Sequence, residues 1–506
     1  MTATIPIDTP AASRFGPLWF SRVVLTVIGV ACALLGAERV WLALAQPLWF
    51  DEAWTAALAA TPDWRSLFDE VRNDINAPLY PVLMRLWTGL AGPSDIALRI
   101  PGLAALAAAG AIPILSRTPG LRIEARVAWG VMIFAWWGVG IFLLGRCYGL
   151  LLAVSTLQCV LFARLLLAPS RRAAWAWCTV GAVAILLQYY ALMAVAAQGA
   201  IYLAARRGPA LRTWPALLAF VPALGWMAFH APKLVAFAAV APTWHPVLTP
   251  SAALGFATFA VNPVSPFVLS AVAVILIGLR LMSKAEPAVL REEDQLAALA
   301  PHLWLTALSG VGALALILLS GALRPTLTAR YMIPAAPGLL LVVVLCARLS
   351  ARAHFAYLAL VAVYLGAALA PGEFRAAISQ RTPYGYEDAS DTLMRHGVTH
   401  VVFVWDHEAA RFERPSSLRR VGAVFFRRAG DSAAVTPLTT DPTQDVNALA
   451  LAAATGAHPG IIWIYNRGSA TSAHTYPPRI AQIDPRWDCE RSGDATIGTL
   501  ACYRTR

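Results

Sequence analysis

The sequence predicts an all-α polytopic membrane protein with a small extracytoplasmic α/β domain at its C-terminus. Only 13% of the 506 residues are charged, whereas soluble domains carry about a quarter. Long apolar runs alternate with short arginine-bearing loops up to about residue 370, where the hydrophobic density falls. Because the arginines behind the net charge of +12 are scattered among apolar runs, this charge does not indicate nucleic-acid binding.

About 11 apolar runs are long enough to be membrane spans, each of which needs about 20 residues. They cover residues 19–45, 97–116, 126–144, 147–168, 174–189, 190–206, 213–231, 264–282, 302–322, 328–349 and 353–370. A further run at 78–91 is shorter, and counting it as a crossing would turn the later arginine loops outward, against the positive-inside rule. We therefore expect 11 transmembrane helices within a membrane domain over residues 1–370, with 12 or 13 as the alternative.

This topology places nearly every polar interruption of the apolar body at one outer face. The group comprises Asp51 and Glu52, the segment to Asn76, Arg99, Arg146, Tyr148, residues 188–190, the loop 231–263 and residues 324–331. We expect these residues to line one site that faces the periplasm of a bacterial inner membrane.

The first outer loop, residues 46–77, predicts two interfacial helices. The first covers Asp51 to Ala60. The second follows Thr61 and Pro62, which are suited to an N-cap and a first-turn proline. Its apolar stripe, formed by Trp64, Leu67, Phe68 and Val71, predicts a helix that lies flat on the membrane.

Asp51 and Glu52 form a carboxylate pair at a membrane boundary, where charges need water, a partner or a chemical role. Adjacent residues point in different directions on a helix, so one of the two can face a cavity. An ionised carboxylate there suits a general base for an acceptor hydroxyl. The alternative is that the pair only favours a helix N-terminus and faces water.

Three arginines, Arg99, Arg146 and Arg330, stand among apolar residues at the outer face. Such an arginine either extends to the lipid headgroups or binds an anion, and its guanidinium can clamp a phosphate. Lys233 and His245 lie in a proline-rich outer loop that either covers a sugar site or anchors the interface. No metal motif indicates a cofactor; a divalent metal stays open because residues 73–76 carry oxygen ligands, although a single carboxylate is a weak signal.

The tail, residues 371–506, predicts a small α/β domain. Short apolar runs at 400–405, 423–426 and 460–465 are typical of buried strands, and residues 387–396 and 445–455 are expected to be helical. Cys489 and Cys502 lie in a polar segment and suit a disulfide if the tail faces an oxidising compartment. The tail carries no catalytic constellation, and acceptor recognition, a lid or folding support are its candidate roles.

The order of several motifs resembles that of the GT-C glycosyltransferases of the ArnT-like and protein-mannosyltransferase-like kind. These motifs are Leu48-Trp49-Phe50-Asp51-Glu52, Asn76-Ala77-Pro78-Leu79-Tyr80, Leu98-Arg99-Ile100-Pro101, Arg146-x-Tyr148, Gln188-Tyr189-Tyr190 and Arg330-Tyr331-x-x-Pro334. The resemblance covers residues 19–350. It departs from the family at Asn76, where the family often has histidine.

The resemblance implies an enzyme that inverts the anomeric carbon of a sugar carried on polyprenyl phosphate and passes it to a hydroxyl of a lipid, glycan or protein. Asp51 is the expected general base, assisted by Glu52. The residues expected to bind the donor phosphate are Arg99, Arg146, Arg330 and Lys233. The residues expected to bind substrate are Asn76, Tyr80, Tyr148, Tyr189, Tyr190, His245 and Tyr331. The alternative function is a lipid or small-molecule transporter or flippase, although no internal repeat is evident.

Overall fold

A computed structural model gives the structure of the protein and confirms the predicted fold class, a helical membrane body with a small C-terminal α/β domain. It describes residues 22–46, 48, 50–136, 144–239, 247–262, 300–349, 353–370, 385–405, 415–428, 434–438, 458–465, 470–493, 495 and 498–505.

The described helices of the body range from 6 to 24 residues. Their bounds are α1 Arg22–Ala45, α2 Phe50–Ala59, α3 Trp64–Asn73, α4 Leu79–Ala91, α5 Asp95–Leu115, α6 Ile123–Ala135, α7 Tyr148–Leu167, α8 Arg171–Leu187, α9 Ala191–Ala205, α10 Arg207–Arg212, α11 Val221–Ala239, α12 Pro250–Val261, α13 Pro301–Leu323, α14 Ala336–Arg348 and α15 Ala353–Ala368. Two 3₁₀ segments, Trp214–Phe220 and Ala329–Ala335, lead directly into α11 and α14.

Helices occupy ten of the eleven predicted spans, and the remaining one, 264–282, lies outside the described residues. In the part of the chain that the structure describes, six helical stretches are long and apolar enough to cross a membrane: Arg22–Ala45, Asp95–Leu115, Tyr148–Leu167, Trp214–Ala236, Pro301–Leu323 and Ala329–Arg348. The short run at 78–91 forms α4, whose 13 residues reach about 20 Å. That length falls short of a hydrocarbon core of about 30 Å, so the total of 11 crossings stays a prediction.

The outer loop predicted over 231–263 is partly wrong, because α11 continues to Ala239 and α12 covers Pro250–Val261. Its prolines suggested a loop, but Pro250 stands in the first turn of α12, where a proline costs no hydrogen bond. Thr249 caps that helix, accepting from the N–H of Ala252. Phe256 of α12 is buried against neighbouring helices, so packing of an apolar face outweighs the local turn signals.

The two predicted loop helices are present as α2 and α3, but the cap of α3 is not Thr61. Asp63 takes that place, accepting from the N–H of Ser66 at 2.8 Å. These hydrogen bonds from Ser66 hold the pKa of the Asp63 carboxyl below its usual value. Pro62 therefore precedes the helix rather than opening it.

The apolar stripe of α3 is divided between two surroundings. Leu67 and Val71 are buried in a core shared with the C-terminal domain, whereas Trp64 and Phe68 are 44% and 47% exposed. A helix lying flat on the membrane was expected to turn the whole stripe to lipid. For Leu67 and Val71 that expectation is wrong, because the C-terminal domain covers them.

The described residues of the C-terminal domain form a five-stranded sheet and three helices. Its elements are α16 Tyr386–Arg395, β1 His400–Trp405, α17 Pro415–Arg428, β2 Ala434–Leu438, β3 Pro459–Tyr465, α18 Ala470–Ile483, β4 Trp487–Gly493 and β5 Gly498–Arg504. The strand order is β2-β1-β3-β5-β4, with β1 parallel to both β2 and β3, and with β5 antiparallel to β3 and β4. A disulfide between Cys489 and Cys502 joins the last two strands.

The strands predicted at 400–405 and 460–465 and the helix at 387–396 are confirmed. The strand predicted at 423–426 is wrong, because these residues belong to α17. A short apolar run does not distinguish strand from buried helix. In α17 the buried residues Leu418 and Val421 are three positions apart, as on one side of a helix. The helix predicted at 445–455 lies outside the described residues.

The C-terminal domain is seated on the two loop helices. Glu70 of α3 is 5% exposed and accepts hydrogen bonds from Ser417 Oγ at 2.6 Å and from the guanidinium of Arg420, both in α17. Around this polar contact lies the shared apolar core, to which Trp54 of α2 and Phe403 of β1 contribute. The domain is therefore held against the same helix that carries Asp51.

At the end of the body away from the loop helices, arginine side chains link neighbouring helices. Arg164 donates to the backbone carbonyl of Ser116, the C-cap of α5, and Arg206 Nε donates to the carbonyl of Leu166 in the last turn of α7 at 2.8 Å. Cations are favourable at helix C-termini, where backbone carbonyls lack partners. The loops that carry these arginines therefore form a basic end, away from the loop helices.

The crossing of α13 and α14 predicts a sharp difference between two glycine substitutions. A Cβ at Gly310 would lie 2.7 Å from the backbone nitrogen of Leu339, whereas a Cβ at Gly366 meets nothing within 4 Å. We expect Gly310→Ala to lower the melting temperature of the purified protein by roughly 3–10 °C, because overpacking costs about 1–3 kcal/mol. Gly366→Ala, the matched helical control, should leave it unchanged or slightly raised. Equal melting temperatures for the two variants would contradict this packing.

Candidate active site

The site begins at the first turn of α2, where Asp51 and Glu52 stand side by side. Both are buried, at 3% and 0% exposure. Successive residues on a helix are rotated by about 100°, so the two carboxylates face different neighbours. Their partners show that they have different roles.

Glu52 is held in a buried ion pair with Arg99 of α5. Arg99 Nη2 lies 2.6 Å from Glu52 Oε2, and Arg99 Nε donates to Glu52 Oε1 at 3.1 Å. The backbone N–H of Gly145 donates to the same Oε1 at 2.8 Å. This carboxylate is therefore surrounded by donors of the protein itself.

Arg99 uses its remaining Nη1 to donate to the backbone carbonyls of Ala43 and Gln46, both at 2.7 Å. These carbonyls end α1, so the guanidinium joins α1, α2 and α5. Arg99 has no solvent exposure. The geometry does not support the predicted phosphate-binding role of Arg99 or the predicted assisting role of Glu52, because each charge is engaged by the other and no solvent reaches either.

Asp51 pairs instead with Arg330. Arg330 Nη1 lies 2.8 Å from Asp51 Oδ2, and the Arg330 side chain is 26% exposed, so a ligand can reach this pair. Arg330 belongs to the 3₁₀ segment before α14 and also stands over the ring of Tyr148, 5.7 Å from its centroid. Three sequence-predicted residues from distant parts of the chain are thus brought together.

Arg146 supports the same turn of α2 from the start of α7. Its Nη1 donates to the backbone carbonyl of Asp51 at 3.3 Å and to Thr55 Oγ1 at 3.2 Å, and its Nη2 donates to Asn76 Oδ1 at 3.0 Å. Among the residues that the structure describes, neither Arg146 Nε nor Arg330 Nε finds an acceptor, although both atoms are buried. Two unused guanidinium donors next to Asp51 are suited to an anion.

Tyr80 lies near this cluster, within electrostatic reach of Arg146 and Glu52, and burial raises the pKa of its phenol. The phenol is therefore a neutral O–H donor. Within the described part of the chain its hydroxyl has no partner.

The remaining predicted aromatic residues form two groups beside the cluster. Tyr190 stacks on Tyr331 with ring centroids 4.5 Å apart, and its hydroxyl is 3.0 Å from Thr326 Oγ1. The Tyr189 hydroxyl accepts from Trp226 Nε1 at 2.9 Å and lies 2.7 Å from His230 Nδ1.

Two predicted residues of the outer loop are placed differently from the rest. Lys233 lies in α11, close to one helical turn after His230. His245 lies outside the described residues.

Sequence reasoning missed Thr55, His230 and the role of Asp74. Asp74 had been noted only as a weak metal ligand, but its oxygens accept from Trp54 Nε1, the N–H of Ile75 and Asn76 Nδ2. Within the described ranges no three His, Cys, Asp or Glu side chains come together as a metal site. The signal that sequence reasoning missed is that Trp54, Asp74 and Asn76 belong to one loop, both ends of which lie at the site.

Known structures share this architecture. The crystal structure of ArnT from Cupriavidus metallidurans in the apo state superposes with a TM-score of 0.57 at 13% identity, over 95% of this chain and 98% of that one. The same enzyme bound to undecaprenyl phosphate superposes with a TM-score of 0.53 at 11% identity over the same shares. No family model and no curated protein sequence matches the chain. The chain therefore has the overall fold of ArnT, and the fold expected from the order of its motifs is confirmed.

Proposed function

We propose that the protein is a membrane glycosyltransferase that moves a sugar from a polyprenyl-phosphate donor to a hydroxyl group of an acceptor. The observation that carries the proposal is the pair of Asp51 and Arg330, 2.8 Å apart and open to a ligand, in the fold of an ArnT that was solved with undecaprenyl phosphate. A carboxylate beside a guanidinium supplies the two groups that this reaction needs, a base and a phosphate ligand.

In the proposed reaction the acceptor oxygen attacks the anomeric carbon from the side opposite the lipid phosphate, so the configuration inverts. Asp51 takes the proton of the attacking hydroxyl. The bond between the anomeric carbon and the phosphate oxygen breaks, and the polyprenyl phosphate leaves with its electron pair. No sugar nucleotide is required at this step, because the phosphate is already an adequate leaving group.

Arg330 and Arg146 are the proposed phosphate ligands. Arg330 pairs with Asp51, but the donor phosphodiester is also an anion that can bind a guanidinium bidentately, and its negative charge grows as the bond to the sugar breaks. We expect the donor to draw Arg330 toward the phosphate, which releases Asp51 Oδ2 for the acceptor hydroxyl. Arg146 already holds the turn of Asp51 and retains a buried Nε donor. Lys233 of α11 keeps its proposed role in binding the donor phosphate.

The aromatic residues around the pair are the proposed substrate walls. The Tyr148 ring lies beneath Arg330, and the Tyr190–Tyr331 stack continues from the same 3₁₀ segment. Flat rings bury large areas at low entropic cost and suit the apolar faces of a sugar or an isoprenoid chain. Asn76, Tyr80, Tyr189 and His245 complete the proposed set. The acceptor stays open between lipid, glycan and protein.

The site and the C-terminal domain are proposed to face the periplasm. The basic end of the body, which carries Arg164 and Arg206, lies away from Asp51, and basic loops are retained in the cytoplasm. A periplasmic tail also suits the disulfide between Cys489 and Cys502. The membrane is then the bacterial inner membrane, where a donor on polyprenyl phosphate is reached from the outer leaflet.

Replacing Asp51 with Asn tests the base. We expect Asp51→Asn to lower transfer at least about 100-fold, because the amide cannot accept the proton, while the amount of folded protein is unchanged. Cells that lack the gene are complemented with each variant, and their glycolipids and glycans are compared by mass spectrometry. Asp69→Asn, an exposed carboxylate in the same loop, is the matched control and should retain transfer. Wild-type product from Asp51→Asn would remove the proposed mechanism.

Arg99→Gln and Arg330→Gln separate the structural arginine from the ligand-binding one. Arg99→Gln leaves Glu52 buried without its ion partner, which costs about 3–5 kcal/mol, so we expect little folded protein or a much lower melting temperature. Arg330→Gln removes a partner from a pair that is partly exposed, so it should lower the melting temperature much less than Arg99→Gln does, and it should lose binding of polyprenyl phosphate. Fluorescence size-exclusion chromatography, thermal melting and lipid binding distinguish the two. A stable Arg99→Gln variant that loses only lipid binding would return Arg99 to the donor site.

Fusions to alkaline phosphatase test the orientation. A phosphatase placed after Arg506 should be active, because the proposed tail is periplasmic. A phosphatase placed in the basic loop after Arg348 should be inactive, because that loop is expected in the cytoplasm. The reverse pattern of activity would place Asp51 on the cytoplasmic side and contradict the proposal.

A further inference from the structure

Asp74 is a buried carboxylate beside the proposed site, to which no role in the reaction has yet been given. It follows α3 directly and is 2% exposed. One oxygen accepts from the N–H of Ile75 at 2.7 Å and the other from Trp54 Nε1 at 2.8 Å, while Asn76 Nδ2 lies 3.0 Å from both. A buried carboxylate with this many donors is fixed in one orientation.

The contact with Asn76 determines which way the Asn76 amide points. Because its nitrogen donates to Asp74, its oxygen is turned to Arg146, whose Nη2 donates to it at 3.0 Å. A rotated amide would place N–H groups against the guanidinium, which has no acceptor. Asp74 thus orients the Asn76 amide in the one way that lets its oxygen accept from Arg146.

Arg146 links Asn76 to the first turn of α2. Its other terminal nitrogen donates to the carbonyl of Asp51 and to Thr55 Oγ1, and the Thr55 hydroxyl donates to the same Asp51 carbonyl at 3.1 Å. Asp74, Asn76 and Arg146 therefore form a continuous chain of hydrogen bonds that ends on the backbone of Asp51.

We propose that Asp74 is a positioning residue for sugar transfer: through Asn76 and Arg146 it holds the turn that presents Asp51 to the acceptor. The inference rests on the proposed function, because it assigns Asp74 to the reaction of the same site. Asp74 does not touch the reacting atoms in this scheme. A purely structural role is the competing explanation, since Asp74 also satisfies the indole N–H of Trp54, which packs in the core shared with the C-terminal domain.

Asp74→Asn and Trp54→Phe separate these two roles. Asp74→Asn turns an N–H donor toward Trp54, Ile75 or Asn76, so the Asn76 amide loses its anchor. We expect kcat to fall by about 10- to 100-fold, because small displacements of a catalytic group cost that much, with KM for the donor within about 3-fold of wild type. Trp54→Phe removes only the indole donor and should keep kcat within about 3-fold. Equal losses of kcat in both variants, or wild-type kcat in Asp74→Asn, would overturn the proposal.

The relay through Asn76 is tested by combining substitutions. Asn76→Ala should lower kcat to a similar extent, and the double variant Asp74→Asn with Asn76→Ala should be no slower than the slower single variant, because both break one chain. Additive losses would overturn the relay. If Asp74→Asn does not fold, Asn76→Ala alone decides: wild-type kcat refutes the relay, and a reduced kcat at unchanged donor KM supports it.

A readout without transfer keeps this inference separate from the proposed function. In a cryo-EM structure of Asp74→Asn, we expect the contact between Arg146 Nη2 and Asn76 to be lost and the first turn of α2 to shift. An unchanged contact would refute the relay even in an active enzyme. Absence of any transfer by the wild-type protein would refute the glycosyltransferase proposal and leave the structural result to decide whether Asp74 positions this turn.

Discussion

The buried ion pair between Glu52 and Arg99 fixes the helix on which the site depends. Burying two charges is expensive unless each is closely paired and its remaining hydrogen-bonding groups are satisfied. Here the carboxylate also accepts from the N–H of Gly145, and the guanidinium also donates to the carbonyls of Ala43 and Gln46. The pair therefore joins the end of α1, the start of α2, the start of α5 and the segment before α7, and Asp51 stands on the turn that they enclose.

Two neighbouring acids acquire opposite roles from this frame. Glu52 is enclosed by donors and has no exposure, so no substrate reaches it. Asp51 is paired to Arg330, whose side chain is about one quarter exposed. A general base must come within hydrogen-bond distance of the acceptor, which is why Asp51 rather than Glu52 is the proposed base. The rotation of about 100° between successive helical residues is enough to separate a structural carboxylate from a candidate catalytic one.

The sequence was sufficient for the fold class and for the gathering of polar residues at one end of the body. Hydrophobic run length fixes the helices, and the alternation of arginine loops assigns their ends, so Arg330 was expected near Asp51 although 279 positions separate them. The sequence does not predict which arginine pairs with which carboxylate, because the pattern does not distinguish the three outer arginines. Which arginine pairs with Glu52 depends on how α5 and α7 cross. A Cβ on Gly149 would lie 2.7 Å from the carbonyl oxygen of Gly102, so the lack of a side chain at Gly149 leaves room for the backbone of α5.

The errors have a common origin, since they fall where a tertiary neighbour decides the outcome. The prolines of 231–263 and the apolar run at 423–426 were interpreted from local signals, yet Pro250–Val261 and Pro415–Arg428 are helices, and each buries apolar residues against other elements. The stripe of α3 was assigned to the lipid surface. A stripe specifies only that something apolar covers it, and for Leu67 and Val71 that cover is the C-terminal domain.

Because the C-terminal domain covers part of α3, the two parts of the chain are linked through that helix. Glu70 binds α17 on one side of α3, and Asp74, one turn later, begins the hydrogen-bond chain toward Asp51. The described part of the tail therefore docks on α3, the helix that ends at Asp74. If Asp74 positions the Asp51 turn as proposed, the docking surface of the tail and the proposed base are connected through one 10-residue helix.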